Sequence, residues 1–184
     1  MNSALLRNFE KLQADTKLLL KDVSALSSVT YHYRPADNKW SISQILTHLL
    51  TSERLSLNYM KKKSLGVNDL EETGILENIK FLLLKISQRI PMRYQAPRQV
   101  VEQTPAPLSY GDLVRQWEAV RLELFQFLEQ IKEENIRKKI YKHPRVGMLD
   151  ANHALQFLGE HLHHHKPQIQ AIILDQKKRK LEKH

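Results

Sequence analysis

The chain contains no cysteine among its 184 residues. This absence excludes disulfide bonds, thiolate metal sites and cysteine nucleophiles, so any bound metal must be held by nitrogen and oxygen ligands. Only five glycines are present, so tight turns between strands are scarce. No apolar run approaches the ~20 residues that cross a bilayer as a helix. The sequence therefore predicts a protein that is neither membrane-spanning nor disulfide-stabilised.

The first twelve residues, MNSALLRNFEKL, place charged residues among the apolar ones. A signal peptide needs an uninterrupted apolar core, so we expect a cytoplasmic location. Hydrophobic residues make up 41% of the chain and charged residues 27%, a balance typical of one soluble domain at this length. We therefore expect a single domain over residues 1–184, with residues 176–184 as a frayed basic tail.

The formal net charge of +9 raises the hypothesis of nucleic-acid binding. The basic clusters at 61–63, 137–139 and 177–180 each lie near a predicted helix end. Lysine and arginine in the last turn of a helix interact favourably with its dipole, so the clusters have an explanation without a polyanionic partner. Nucleic acid is therefore not the expected partner, and its binding stays the third of three functional hypotheses.

Apolar residues recur at spacings of three and four in several segments, which predicts helices. The predicted helices are 3–26, 42–63, 71–88, 110–133 and 151–178. Ser41, Ser109 and Asp150 precede three of them and are suited to cap their N-termini. Five apolar residues of the third helix are expected to face inward: Ile75, Ile79, Leu82, Leu83 and Ile86.

The connections complete the predicted architecture. Residues 27–40 are predicted to be an irregular connection. Residues 89–108 carry four of the seven prolines; a loop of this length is either a functional rim or a solvated connector. With no plausible run of paired strands, the sequence predicts an all-α four-helix bundle with an extra short helix and a long proline-rich loop.

Four histidines fall within the five residues His161-Leu162-His163-His164-His165. On a helix, His161 and His165 share one face because they are four residues apart, whereas His163 points the other way. The flanking apolar residues place the shared face in the core: Ala154, Leu158, Ile169 and Ile172. Such a pair has two interpretations, hydrogen-bonded core histidines or the ligands of a divalent metal.

His48 is a third histidine on a mostly apolar helix face, in line with Ile45 and Ser52. Alone it would be interpreted as a core or cavity histidine. Together with His161 and His165 it becomes the candidate third metal ligand. Three neutral imidazoles would leave a coordination position open, as catalytic zinc sites do.

Such an open position could activate a water or a thiol by lowering its pKa. Because the chain has no cysteine, a thiolate would have to come from an external small thiol. His143 and His164 are candidate catalytic bases. The alternatives are a hydrogen bond to the backbone for His143 and simple solvent exposure for His164.

The imidazoles would also need hydrogen-bond partners that orient them. The candidates in the sequence are Glu53, Asn58 and Glu160. Each of these residues could equally be an ordinary surface group.

Two groups of residues resemble the DinB-like superfamily, in order and over roughly residues 3–175. The first group is Arg34-Pro35, Trp40-Ser41-Ile42 and Gln44-Ile45-Leu46-Thr47-His48-Leu49. The second is His143-Pro144, Gly147, Asp150, His161, His164-His165 and Gln168-Ile169. The proline-rich segment 89–108 and Pro167 depart from the pattern.

The resemblance implies an up-down-down-up four-helix bundle and a divalent metal, usually nickel or zinc, held by three histidines. Carried over position by position, the ligands are His48, His161 and His165. Members include S-transferases that use the thiols bacillithiol or mycothiol, and metal-dependent hydrolases, and pairing into homodimers is frequent. The first functional hypothesis is thus an S-transferase or hydrolase acting on a small electrophile. The second is a non-catalytic metal- or ligand-binding helical module.

Overall fold

The computed structural model describes residues 1–36, 39–89 and 106–181. Most of the predicted proline-rich loop lies outside the described residues. The helices are α1 (Ser3–Ser24), α2 (Ser28–His32), α3 (Ile42–Ser64), α4 (Ile75–Arg89), α5 (Tyr110–Glu129) and α6 (Ala151–Leu181). The strands are β1 (Tyr141–His143) and β2 (Gly147–Leu149), and short 3₁₀ turns lie at Val67–Asp69 and Glu133–Asn135.

Polar side chains fix the starts of the long helices, as predicted. The Ser41 hydroxyl accepts a hydrogen bond from the backbone N–H of Gln44, and the Gln44 side chain accepts one from Ser41 N–H, which forms a capping box at α3. At the start of α5, the Ser109 hydroxyl accepts a hydrogen bond from the backbone N–H of Asp112. At α6, the backbone N–H of His153 donates to Asp150 Oδ1 over 2.9 Å.

Contacts between the four long helices define the bundle. Helix α1 packs beside α5 and α6, and α3 packs beside the same two helices. Asn8 bonds to Asn152 and Asp15 to His163, so the partners advance together along α1 and α6, and these helices are parallel.

The positions of hydrogen-bonded partners along the chain also give the relative directions of the other helix pairs. Arg54 bonds to Gln116 and Lys61 to Glu123, so α3 and α5 are parallel. Helix α5 runs against α1, because Tyr110 bonds to the carbonyl of Leu20 near the end of α1 and Arg121 bonds to Thr16 earlier in it. The topology is up-down-down-up, and the prediction of an all-α bundle is confirmed.

The expected orientation of the third helix is wrong. Phe81 and Leu84 are the α4 residues buried against the bundle, with the Phe81 ring centroid 4.8 Å from that of His153 on α6. The opposite face of α4 carries six exposed apolar residues, which we name the α4 stripe: Ile75, Leu76, Ile79, Leu82, Leu83 and Ile86. Helical periodicity identified an apolar face correctly, but α4 has two apolar faces and the narrower one packs inward.

Two further expectations are corrected. The connection 27–40 contains the one-and-a-half-turn helix α2, capped by the hydroxyl of Ser27. The region before α6 forms an antiparallel hairpin in which Tyr141 pairs with Leu149 and His143 with Gly147. Gly147 has a φ of 85°, a left-handed conformation that favours glycine, and it follows the turn between the strands.

Helix α6 remains continuous through Pro167. None of the helices among the described residues is both long enough and apolar enough to span a membrane.

A candidate three-histidine metal centre

The three predicted ligands meet between two neighbouring long helices. His48 lies in the second turn of α3, and His161 and His165 lie one turn apart on α6. Helix α6 runs antiparallel to α3, because His48 contacts His161 while Tyr59, further along α3, contacts Met148 before α6. The i, i+4 spacing therefore aims both α6 imidazoles at one point on α3.

The ring nitrogens converge closely. His161 Nε2 lies 3.2 Å from His48 Nε2 and 3.1 Å from His165 Nε2. The three nitrogens that could serve as ligands all lie within 4.8 Å of one another. His48 and His165 are buried and His161 is half-buried, so the cluster belongs to the interior of the bundle.

Burial keeps these imidazoles neutral. It lowers the pKa of His48 to about 4 and that of His165 to about 3, the latter assisted by the neighbouring His48. The pKa of His161 falls well below its ordinary value because of burial and then because of His165 and His48. Neutral imidazole is the form that binds a metal ion, so the cluster needs no deprotonation at neutral pH.

The outer ring nitrogens of His165 and His48 have different surroundings. His165 Nδ1 lies 3.1 Å from Gln168 Oε1, and an N–H there donates to this oxygen and leaves the Nε2 lone pair facing the centre. His48 Nδ1 is buried and has no hydrogen-bond partner among the residues that the structure describes. The Nε2 atoms of His48 and His165 both lie next to His161 Nε2.

Three imidazoles so arranged fit a divalent ion. Two nitrogens bound tetrahedrally at about 2.0–2.1 Å from a zinc ion lie about 3.3–3.4 Å apart. Two of the three separations in the cluster are close to this value, at 3.2 and 3.1 Å, and the third is at most 4.8 Å. Without an ion, at most a few hydrogen bonds can form among the three ring nitrogens, because each neutral imidazole carries only one N–H. The donor set of three nitrogens suits zinc, nickel, copper or iron better than magnesium or calcium.

Aromatic rings enclose the cluster. The Trp40 ring centroid lies 5.0 Å from that of His48. Phe157, one turn before His161 on α6, stacks on the His161 ring at 5.4 Å with an interplanar angle of 15°. These rings fix the imidazole planes and lower the local polarity, which strengthens electrostatic interactions within the site.

His143 lies beside this centre on strand β1. Its ring is buried and packs edge-on against Phe157 at 4.6 Å. His143 Nδ1 accepts a hydrogen bond of 3.2 Å from the backbone N–H of Arg145, so the backbone interaction considered from the sequence is present. In the neutral ring, the proton is consequently on Nε2.

The pKa of His143 is lowered to about 4, first by burial and then by the charge of Arg145. His143 also contributes to the lowered pKa of His161. These effects place His143 within electrostatic reach of the cluster as a neutral ring.

The other two histidines of the run are more exposed. His164 is half-buried, and its ring contacts that of His165 edge-on at 5.2 Å. His163 points away from the cluster, as predicted, and pairs with Asp15 on α1 at 3.0 Å.

The carboxylates suggested as partners of the imidazoles have other contacts. Glu53 is buried and accepts hydrogen bonds from Trp117 Nε1 at 2.9 Å and from the Arg121 guanidinium. Glu160 lies 3.8 Å from Lys85, and Asn58 is exposed. Gln168 holds the position that those residues were expected to fill; its spacing of three residues after His165 was a usable signal.

Another buried histidine, His153, was not singled out in the sequence. His153 Nδ1 lies 2.8 Å from Asp150 Oδ1, and its Nε2 lies 3.0 Å from Asn78 Oδ1. Thr73 donates to the other Asp150 oxygen over 2.5 Å, and these contacts lower the pKa of Asp150 against the opposing effect of burial. The group links the start of α6 to α4.

The fold and this site define a helical bundle with an intramolecular three-histidine centre between its second and last long helices. The sequence profile of the DinB superfamily matches residues 9–169. The chain belongs to the DinB superfamily. It is also similar to the uncharacterized protein YuaE of Bacillus subtilis (strain 168), with 23% identity over 153 residues that cover 82% of this chain and 88% of YuaE.

Proposed function

We propose that the protein is a metal-dependent enzyme that activates a small thiol or water for attack on a small electrophile, as an S-transferase or a hydrolase. The convergence of three Nε2 atoms from His48, His161 and His165 carries the proposal. His48, His161 and His165 would hold a divalent ion, nickel or zinc, through three nitrogens. A bound ion with an open position supplies Lewis acidity that lowers the pKa of a coordinated water or thiol.

The chain's own residues have separate tasks in this proposal. Gln168 retains the proton of His165 on Nδ1, which leaves Nε2 as a ligand. Trp40 and Phe157 exclude bulk water from one side of the imidazoles. No cysteine is present, so a transferred thiol is a second substrate, and low-molecular-weight thiols such as bacillithiol have the required chemistry.

His143 acts in this scheme as a hydrogen-bond donor through Nε2–H. Its Nδ1 is occupied by the Arg145 N–H, and its pKa of about 4 leaves the ring neutral at pH 7. A neutral donor can stabilise negative charge that develops on the electrophile without a cation that would compete for the nucleophile. His164 is half-buried next to His165 and is proposed to exchange the proton released by the nucleophile with solvent.

We also propose a cytoplasmic location. A thiol-transfer reaction needs a compartment in which small thiols remain reduced, and the cytosol maintains that condition.

The test uses tag-free protein reconstituted with nickel or zinc. Conversion of an epoxide or an aryl halide is followed with and without bacillithiol or glutathione, and ester hydrolysis is followed separately. The wild-type protein is expected to turn over one of these substrates only with metal, and His161→Ala to be inactive. His163→Ala is the matched control, since it lies on the same helix but faces Asp15.

His143→Ala separates the proposed roles. It is expected to retain the metal and lower kcat by about 10²–10³-fold, the usual cost of one stabilising donor. Metal binding without turnover of any thiol or water substrate would contradict catalysis and favour the metal-binding module.

A further inference from the structure

We propose that a cleft between α4 and the start of α6 is a second binding site, for a small molecule with a phosphate or carboxylate group beside an apolar part. The cleft has a volume of about 510 Å³, within the range of small-molecule sites. None of the described residues in its wall is a histidine of the candidate metal centre. The proposal therefore does not rest on the proposed function.

Two cationic side chains from different elements line this cleft. Arg137, in the connection between α5 and β1, donates from Nη2 to the carbonyl of Thr73 over 2.6 Å. This bond fixes the guanidinium, whose other N–H groups have no partner among the described residues. Because Arg137 also has no acidic partner in that part of the chain, its charge is available to an anion.

Lys85, on α4, is the second cation. Its Nζ lies 3.4 Å from Gln156 Oε1 and 3.8 Å from Glu160 Oε1. Both distances exceed the roughly 2.7–2.9 Å of a charge-assisted hydrogen bond. Glu160 offsets part of the charge of Lys85, but the ammonium is loosely held and can rotate towards a ligand in the cleft.

Two amide side chains of α6 add donors to the same wall. Gln156 Oε1 faces Lys85, and Asn152 Oδ1 accepts a hydrogen bond of 2.6 Å from Asn8 Nδ2. Both amide oxygens are thus engaged, whereas the two NH₂ groups have no partner among the residues that the structure describes. Each NH₂ group offers two N–H donors.

The carboxylate in the wall is already occupied. Asp150 is 5% exposed and accepts hydrogen bonds from the Thr73 hydroxyl and from the backbone N–H of His153. Its Oδ1 also lies 2.8 Å from His153 Nδ1. The groups that remain for a ligand are therefore mainly donors, and phosphate or carboxylate oxygens are the acceptors that such donors bind best.

An apolar surface lies beside these donors. Phe81 lines the cleft with its ring centroid 5.9 Å from Lys85 Nζ, and Leu82 of the α4 stripe lines it at 57% exposure. A bare inorganic anion would leave both apolar side chains uncovered. A ligand that joins an oxyanion to a hydrocarbon or aromatic part would cover them and use the donors as well.

The first experiment follows the side-chain NH₂ signals of the isotope-labelled chain by nuclear magnetic resonance. The probes are phenyl phosphate, benzoate and phenol, each added up to about 10 mM so that millimolar dissociation constants are detected. At least one of the two anions is expected to shift the Asn152 and Gln156 signals, and the tighter of the two identifies the oxyanion. Phenol has the ring without the charge and is expected to leave them in place.

Gln170, an exposed residue further along α6, is the control signal and should not move. The proposal is overturned if neither anion shifts the Asn152 and Gln156 signals, or if phenol shifts them as strongly as the anions do.

The second experiment measures the affinity for the tighter anion in charge variants. Lys85→Met keeps most of the aliphatic stem and is expected to weaken binding about tenfold, as the loss of one charge-assisted hydrogen bond does. Lys80→Met removes a charge from an exposed position of the same helix and should bind with wild-type affinity. Thermal denaturation without ligand checks that both variants are folded.

His161→Ala disrupts the candidate metal centre and is expected to bind the anion with unchanged affinity, so this site and the metal centre are tested separately. Wild-type affinity in Lys85→Met, or equal losses in Lys85→Met and Lys80→Met, would overturn the assignment of the cleft.

Discussion

Helix α6 carries two buried histidine groups that differ in the neighbours of their ring nitrogens. Each ring nitrogen of His153 lies within 3.0 Å of an oxygen, from Asp150 or Asn78. The Nε2 atoms of His161 and His165 instead lie against each other and against His48. In the first arrangement oxygen atoms face both ring nitrogens, whereas the second gathers three ring nitrogens at one point. The comparison shows that burial alone does not identify a ligand histidine; the chemistry of its neighbours does.

The largest expected difference between the two groups is in metal affinity. His161→Ala removes the central nitrogen of the cluster and is expected to weaken nickel or zinc binding on the order of 1,000-fold, more than loss of a ligand's hydrogen-bond partner costs. Competition titration with a chromogenic chelator measures the change. His153→Ala should bind the metal with wild-type affinity, and equal losses in both variants would contradict the assignment.

The reverse difference is expected in stability. His153→Ala leaves the buried Asp150 carboxylate with one fewer partner and is expected to reduce the free energy of unfolding by about 3 kcal/mol, as for other broken buried pairs. Urea denaturation of the metal-free protein measures this value. His163→Ala, at a half-exposed position on the same helix, is the control and should change stability by less than about 0.5 kcal/mol.

A pH titration sharpens the comparison further. The folded-state pKa values of His48 and His165, about 4 and 3, lie below the ordinary value of 6.5, so the unfolded chain binds protons that the folded chain does not. The stability that these two neutral imidazoles contribute to the metal-free protein is therefore fully present above pH 6.5. It is expected to fall as the pH decreases towards 4, by up to about 1.4 kcal/mol per pH unit for each such imidazole.

Urea denaturation at several pH values between 7 and 4.5 tests this slope. In His48→Ala, the free energy of unfolding is expected to fall less steeply with decreasing pH, by the contribution of one imidazole. A flat profile for the wild-type protein would show that these rings are not held neutral.

The smallest expected effect concerns Gln168, whose side-chain oxygen lies beside His165 of the cluster. Gln168→Leu removes the acceptor at His165 Nδ1 and is expected to weaken metal binding about tenfold, the lower end of the usual range for such partners. Isothermal titration gives the affinity. Gln170→Leu, a neighbouring exposed position on α6, serves as the control; an equal loss there would assign the effect to altered surface polarity.

Helical periodicity predicted most of the fold. The caps at Ser41, Ser109 and Asp150 and the long apolar periods located α1, α3, α5 and α6 to within a few residues. The hairpin was missed because three-residue strands are too short to display an alternating pattern. The orientation of α4 was wrong because an apolar period is the same whether it faces the core or another surface.

The candidate site was predictable where its residues share one helix. The spacing of His161 and His165 indicated a shared face. The mostly apolar face of α3 on which His48 lies made it the candidate third ligand. The role of His153 was not predicted because it depends on a side chain far away in the sequence, that of Asn78. Gln168 was noted only in the family resemblance, and its spacing of three residues after His165 was not used. The periodicity of a single sequence carries no information on a contact such as the one between His153 and Asn78.

The short hairpin that carries His143 has a consequence for how this protein can diversify. The three nitrogens of the cluster belong to residues of the long helices α3 and α6. His143 instead lies in a hairpin of two three-residue strands, which are joined by Pro144, Arg145 and Val146. Changes in the length or composition of that turn would move His143 and leave helices α3 and α6 in place. If the proposed metal-dependent activity holds, substitutions in this turn would change the substrate preference and leave the three histidines in place.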